Sequence, residues 1–250
     1  MPFFTHQGHR LFYRENGSGP LLLILPGNTA SSALHTAELD YFGARYHAAA
    51  LDFWGTGQSD RMDVWPLDWW EQGAHDAAAL VDHLGYRQAL VMGTSGGAIA
   101  ALLMAILHPG QVQAVVADST VERFPPRWLS RETERRAERT PGQVNFWQKA
   151  HGDDWPQVVD ADSDFLLRFE QAGGDAFHGR LREIACPVLL SASVEDEALP
   201  DGEKQVRAMA GQIGASRVYL AQTGGHPFMW SRPDEFRGVV DGFWEALPVK

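Results

Sequence analysis

Five consecutive residues, Gly93-Thr94-Ser95-Gly96-Gly97, hold a serine with a glycine two positions before it and another two positions after. They close a run that predicts a strand (88–92) and open one that predicts a helix (98–107). A nucleophile exposed at a sharp strand-to-helix turn needs a strained backbone, and only small flanking residues leave room for it. Ser95 would then stand at a helix N-terminus, with the backbone N–H of Gly96 aimed where an oxyanion would form. The chemistry this predicts is attack of Ser95 on a carbonyl. The same glycines would also suit a turn that lets a helix pack closely on a sheet.

A serine hydroxyl needs a base to take its proton. Of ten histidines, His226 lies in Gly224-Gly225-His226-Pro227, just after the last predicted strand (217–221). Loops at strand ends are where open parallel sheets place their ligands. The other nine are scattered and read as surface or packing residues. The base in turn needs a carboxylate to orient it. Glu195, Asp196 and Glu197 crowd the loop after a predicted strand at 188–191, and Asp118 ends another at 111–117. Spacing alone leaves the choice among these acids open.

The elements that must hold these residues alternate. Further strands are predicted at 10–15, 21–25 and 47–51, and helices at 32–42, 68–84, 96–107, 202–212 and 233–245. Several strands are apolar on successive residues, as expected when helices cover both faces. The reading is an α/β fold, a mostly parallel central sheet wrapped by helices. The first strand or two could pair antiparallel, through a turn at Asn16-Gly17-Ser18-Gly19-Pro20. The alternation breaks between 119 and 183, a charged, helical stretch with Trp128, Trp147 and Trp155 and two turn clusters, Thr140-Pro141-Gly142 and Ala172-Gly173-Gly174. It reads as an insertion lying over the sheet of one domain spanning 1–250.

Composition narrows the partners. A formal net charge of -11 repels phosphate backbones, so nucleic acid is not expected. The longest clean apolar run, 21–25, is far too short to cross a bilayer. No secretory leader is visible at the N-terminus, and the cytoplasm is the expected location. One cysteine, Cys186, excludes an intramolecular disulfide and reads as a small core residue. No metal or nucleotide motif is present, so no cofactor is expected; His151-Gly152-Asp153-Asp154 reads as a solvated turn. The expected partner is a small, partly apolar molecule, and Trp54, Trp65, Trp69, Trp70, Phe228 and Met229 lie in sequence near the site loops.

Taken in order, these segments resemble the α/β-hydrolase superfamily. Leu25-Pro26-Gly27-Asn28 looks like its His-Gly-x oxyanion loop, with proline in place of histidine. Asp52-Phe53-Trp54-Gly55-Thr56-Gly57-Gln58-Ser59 matches its D-x-x-G-x-G-x-S loop, which reads as a structural turn beneath the site. Gly93 to Gly97 matches the nucleophile elbow. Ser193 to Pro200 matches G-x-x-D-x-x-x-P with serine for the glycine, which puts Asp196 on the acid. Gly225-His226 and Pro233-Asp234-Glu235-Phe236 match the end of the pattern.

The resemblance implies a serine hydrolase with a triad of Ser95, His226 and Asp196, and oxyanion donors in the backbone N–H groups of Asn28 and Gly96. It implies acyl transfer to water without a cofactor, under a lid formed by 119–183. Lidded members are often esterases, lactonases, thioesterases, C–C hydrolases or aminopeptidases. Two other readings fit the same residues. One is a perhydrolase, cofactor-free oxygenase or lyase on the same fold, since fold does not dictate reaction. The other is a binding or receptor protein that retains the three residues unused.

Overall fold

The computed structural model describes residues 2–247. Its strands form one sheet: β1 (Phe3–His6), β2 (His9–Asn16), β3 (Leu21–Leu25), β4 (His47–Leu51), β5 (Ala89–Thr94), β6 (Val112–Asp118), β7 (Val188–Ser193) and β8 (Ser216–Ala221). They lie in the order β1-β2-β4-β3-β5-β6-β7-β8. β1 and β2 are antiparallel, as are β2 and β4, and the remaining pairs are parallel. Around the sheet run α1 (Thr36–Gly43), α2 (Trp69–His83), α3 (Gly96–Leu107), α4 (Trp128–Ala137), α5 (Pro141–His151), α6 (Trp155–Gln171), α7 (Gly202–Gln212), α8 (Phe228–Ser231) and α9 (Pro233–Glu245).

β3 shows why the sheet is covered on both faces. All five of its side chains are buried. Leu21, Leu23 and Leu25 enter a core with residues of α2 and α3, while Leu22 and Ile24 enter another with Leu39 and Phe42 of α1 and Phe236 and Val240 of α9. This is the period-two alternation of a strand with helices on both sides. α3 is apolar almost all round and almost wholly buried, as a helix enclosed by the fold must be.

Two expectations change. The turn at 16–20 joins β2 to β3, but these strands are not neighbours. The crossover through α1 lays β4 beside β3, pairing Leu22 with Ala48, so the second antiparallel partner of β2, opposite β1, is β4. The segment Thr140-Pro141-Gly142 is a helix start rather than a turn. Thr140 accepts from the Gln143 backbone N–H while the Gln143 side chain reaches back to the Thr140 backbone N–H, and Pro141 opens α5.

The helical insertion comprises α4, α5 and α6, between β6 and β7. α6 buries Val158, Asp162, Phe165, Leu166 and Phe169, spaced as one face of a helix. An aspartate sits among four apolar residues on that inward face. Among the described residues, no helix is long and apolar enough to cross a membrane.

Candidate active site

The strand order reverses direction beside β3, with β4 on one side and β5 on the other. At such a switch point the loops leaving the strand ends diverge and open a crevice. Asn28 follows β3 there, and Ser95 follows β5. Asp196 and His226 come in from the loops after β7 and β8.

Ser95 has φ 54° and ψ -125°, backbone angles outside the comfortable range of an L-residue. Such strain is worth on the order of 1–3 kcal/mol and persists only where surrounding structure holds it. Here the Ser95 backbone N–H donates to the Asp118 carbonyl at 2.8 Å, and its carbonyl accepts from Ala98 at 3.0 Å. The flanking glycines are sterically required. A Cβ on Gly93 would sit 2.2 Å from the Gly97 carbonyl oxygen, and one on Gly97 would sit 2.1 Å from that of Leu25.

Ser95 Oγ lies 3.0 Å from His226 Nε2, close enough to donate its proton to that nitrogen. His226 Nδ1 lies 2.9 and 3.0 Å from the two oxygens of Asp196, which is buried. Burial opposes the imidazolium, but the hydrogen bond and charge of Asp196, with Asp118 and Glu197 further off, outweigh it and raise the His226 pKa above the ordinary histidine value. Glu195 and Glu197 are exposed, and Glu195 accepts from the Gly224 backbone.

Asp118 has a different place. It is fully buried and accepts from Ser191 Oγ at 2.7 Å, Thr94 Oγ1 at 3.1 Å and the Met229 backbone N–H at 3.0 Å. Burial pushes its carboxyl up to about 6, against those donors. It ties β5, β6, β7 and α8 together beneath the site, and its hydrogen bonds go to those elements rather than to the imidazole.

Asn28 and Gly96 both line a cavity of about 530 Å³ together with Ser95 and His226. Among the described residues, neither the Asn28 nor the Gly96 backbone N–H has a hydrogen-bond acceptor in the chain. The cavity walls include Trp70, Trp128, Phe146, Trp147 and Trp230. The aromatic cluster picked out by sequence proximity is therefore mostly elsewhere. Trp65 and Trp69 stack at 4.1 Å in the core, and Phe228 and Met229 are buried on the far face of the sheet. Trp70 alone of that group reaches the cavity. Trp147 lines the cavity and stacks on Trp155 behind it, with ring centroids 5.2 Å apart.

The loop from Asp52 to Ser59 is structural in detail. Buried Asp52 accepts from the backbone of Ser32 at 2.6 Å and Gln58 at 2.8 Å, and a Cβ on Gly57 would collide with it. His151 is not part of a solvated turn. It is buried, accepts from Gly57 N–H at 3.0 Å through Nδ1 and donates from Nε2 to the Thr29 carbonyl at 3.0 Å. Burial lowers its pKa to about 4, so the neutral tautomer that can accept and donate at once is the stable one. Asp154 pairs with Arg61. Among the described residues, no group of three or more His, Cys, Asp or Glu side chains could hold a metal ion.

Sequence reading passed over Asp162 and Arg136 of the insertion, and the contact partners of His151. The one visible signal was the aspartate at a core position of an amphipathic helix.

Comparison with known proteins agrees with this architecture. The alpha/beta hydrolase fold family matches residues 20–151. The chain belongs to that family, and it is an enzyme of the hydrolase class. It is similar to RutD of Azorhizobium caulinodans, whose name carries carbamate hydrolase as a candidate activity, with 24% identity over 97% of this chain and 98% of that one. It is also similar to the serine hydrolase BPHL of Mus musculus, with 26% identity over 94% of this chain and 83% of the relative. Among solved structures, a hydrolase from Pseudomonas aeruginosa superposes with a TM-score of 0.80 at 22% identity, covering 98% of both chains, a likeness of fold.

Proposed function

We propose that this enzyme hydrolyses a carboxylic ester or related acyl bond through an acyl-enzyme on Ser95. The observation that carries the reading is the unbroken line Ser95 Oγ–His226 Nε2 and His226 Nδ1–Asp196, facing a cavity able to hold a small molecule. His226 takes the serine proton as Ser95 attacks the carbonyl carbon, returns it to the leaving group, and then activates water for deacylation. Asp196 holds the Nδ1–H tautomer and stabilises the imidazolium. The backbone N–H groups of Asn28 and Gly96 receive the oxyanion, a contribution on the order of 3 kcal/mol per donor.

The insertion at 119–183 acts as a cap over one domain and adds Trp128, Phe146 and Trp147 to the aromatic walls that Trp70 and Trp230 begin, so the substrate is partly apolar. A carbamate, suggested by one relative's name, and an ester both present the carbonyl this arrangement would bind. A fluorophosphonate probe and a panel of p-nitrophenyl esters of rising chain length test the reading. Wild type should label at Ser95 and hydrolyse part of the panel, and Ser95→Ala should abolish both with the fold intact. Ester hydrolysis by Ser95→Ala within about tenfold of wild type, only 1.4 kcal/mol of barrier, would remove Ser95 from the mechanism.

A further inference from the structure

The cap touches the oxyanion loop at several polar points. The Asn28 side chain donates from Nδ2 to Asp162 of α6, and its Oδ1 accepts from Trp70 Nε1 at 3.0 Å. The amide is thus pinned at both ends, by the cap on one side and by the core on the other. Asp162 is fully buried, and its second oxygen accepts from Arg136 of α4. Burial pushes its pKa up, while Arg136 and Asn28 favour the charged form.

The backbone at this point is a tight turn. Ala30 N–H donates to the Gly27 carbonyl at 3.1 Å, so Asn28 and Thr29 are the two central residues. Thr29 has φ 56°, a conformation that ordinarily favours glycine at this position. Two further cap contacts hold the strained turn: His151 Nε2 on the Thr29 carbonyl at 3.0 Å, and Ser31 Oγ on the Ala150 carbonyl at 2.7 Å. The amide of Asn28 also packs on the other donor. A Cβ on Gly96 would fall 1.7 Å from Asn28 Oδ1.

We infer that Asp162 is a positioning residue for the oxyanion hole: by fixing the Asn28 side chain, the cap sets where the Asn28 backbone N–H points. The inference rests on the acyl-transfer reading above. It makes the cap part of the catalytic geometry as well as the wall of the pocket. Losing an oxyanion donor outright lowers kcat by about 10²–10³, so misaiming one should lower it by roughly 10–100-fold. Substrate binding through the aromatic walls should change much less.

The test is a double-mutant cycle on the full chain with p-nitrophenyl acetate, a substrate too small to need the cap walls. Asp162→Ala and Asn28→Ala should each lower kcat by about 10–100-fold with KM within about threefold, and the double variant should lose no more than the worse single. A kcat for Asp162→Ala within about threefold of wild type, or losses that multiply, overturns the inference. Because Asp162→Ala strands the Arg136 charge and could fail to fold, Asp162→Asn combined with Arg136→Gln serves as the second variant. It keeps an oxygen acceptor for Asn28, and kcat should return to within about fivefold of wild type. A folded second variant as slow as expected for Asp162→Ala also overturns the inference. If wild type neither labels at Ser95 nor hydrolyses any ester, the acyl-transfer reading falls and this inference with it. If wild type is active and only the cycle fails, the inference alone falls.

Discussion

Replacing Asp196 by asparagine changes one oxygen to an amide at a carboxylate whose two oxygens lie 2.9 and 3.0 Å from His226 Nδ1. An asparagine can present its N–H₂ to that nitrogen and so favour the wrong tautomer, with the proton on Nε2 where Ser95 must deliver its own. It also withdraws the charge that helps raise the His226 pKa. The first leaves the neutral imidazole unable to take the serine proton and the second removes support for the imidazolium; neither touches substrate binding, so kcat should fall far more than KM rises. The expected loss is about 10²–10⁴ in kcat, or roughly 3–5 kcal/mol of barrier. Asp118→Asn is the contrasting perturbation. Its carboxylate accepts three hydrogen bonds, but the Ser191 hydroxyl on Oδ1 can rotate to accept from an amide while the oxygen keeps Thr94 and Met229. That change should lower stability by about 1–2 kcal/mol and kcat by less than about fivefold. Steady-state kinetics on an activated ester and urea unfolding of the same two preparations separate the cases. A hundredfold kcat loss in Asp118→Asn beside a near-normal Asp196→Asn would refute the assignment of the acid.

Three further outcomes are expected. As the proposed base, His226 would have to be neutral, and its pKa is raised, so kcat/KM should climb with pH along a limb centred above 6.5; in Asp196→Asn that limb should move down, and an unmoved limb between pH 5 and 9 would contradict the pairing. Trp147→Ala should alter relative kcat/KM across a p-nitrophenyl ester series more than the rate of labelling by a small fluorophosphonate; an equal slowing of every substrate and the probe would make that wall merely structural. His151 is lowered from 6.5 to about 4, so the stability from keeping it neutral is full above pH 6.5 and is lost as pH falls toward 4. His151→Gln should therefore be less stable than wild type at pH 7 by about 1–3 kcal/mol, with most of that gap in unfolding free energy gone by pH 4; a pH-independent gap counts against the buried neutral imidazole.

Much of the candidate site's geometry was legible in the sequence because its constraints are local. The elbow around Ser95 needs small residues two positions either side, since a Cβ on Gly93 or Gly97 would meet backbone about 2 Å away, and that requirement is written into five consecutive residues. The run Leu21–Leu25 announces a strand buried on both faces without reference to its neighbours. The acid could be narrowed by residue type to four candidates, and only family likeness preferred Asp196. Tertiary structure decided that Asp196 meets His226 while Asp118 is locked among Ser191, Thr94 and Met229, because a carboxylate's partners depend on how loops from different strands converge. It decided that Trp65 and Trp69 pack in the core while Trp128, Trp147 and Trp230 wall the cavity, since an aromatic side chain suits either setting equally well. It also decided that Asp162 reaches Asn28 across 134 residues of chain, a pairing that exists only once the insertion has folded back over the sheet and that no spacing along the sequence can encode.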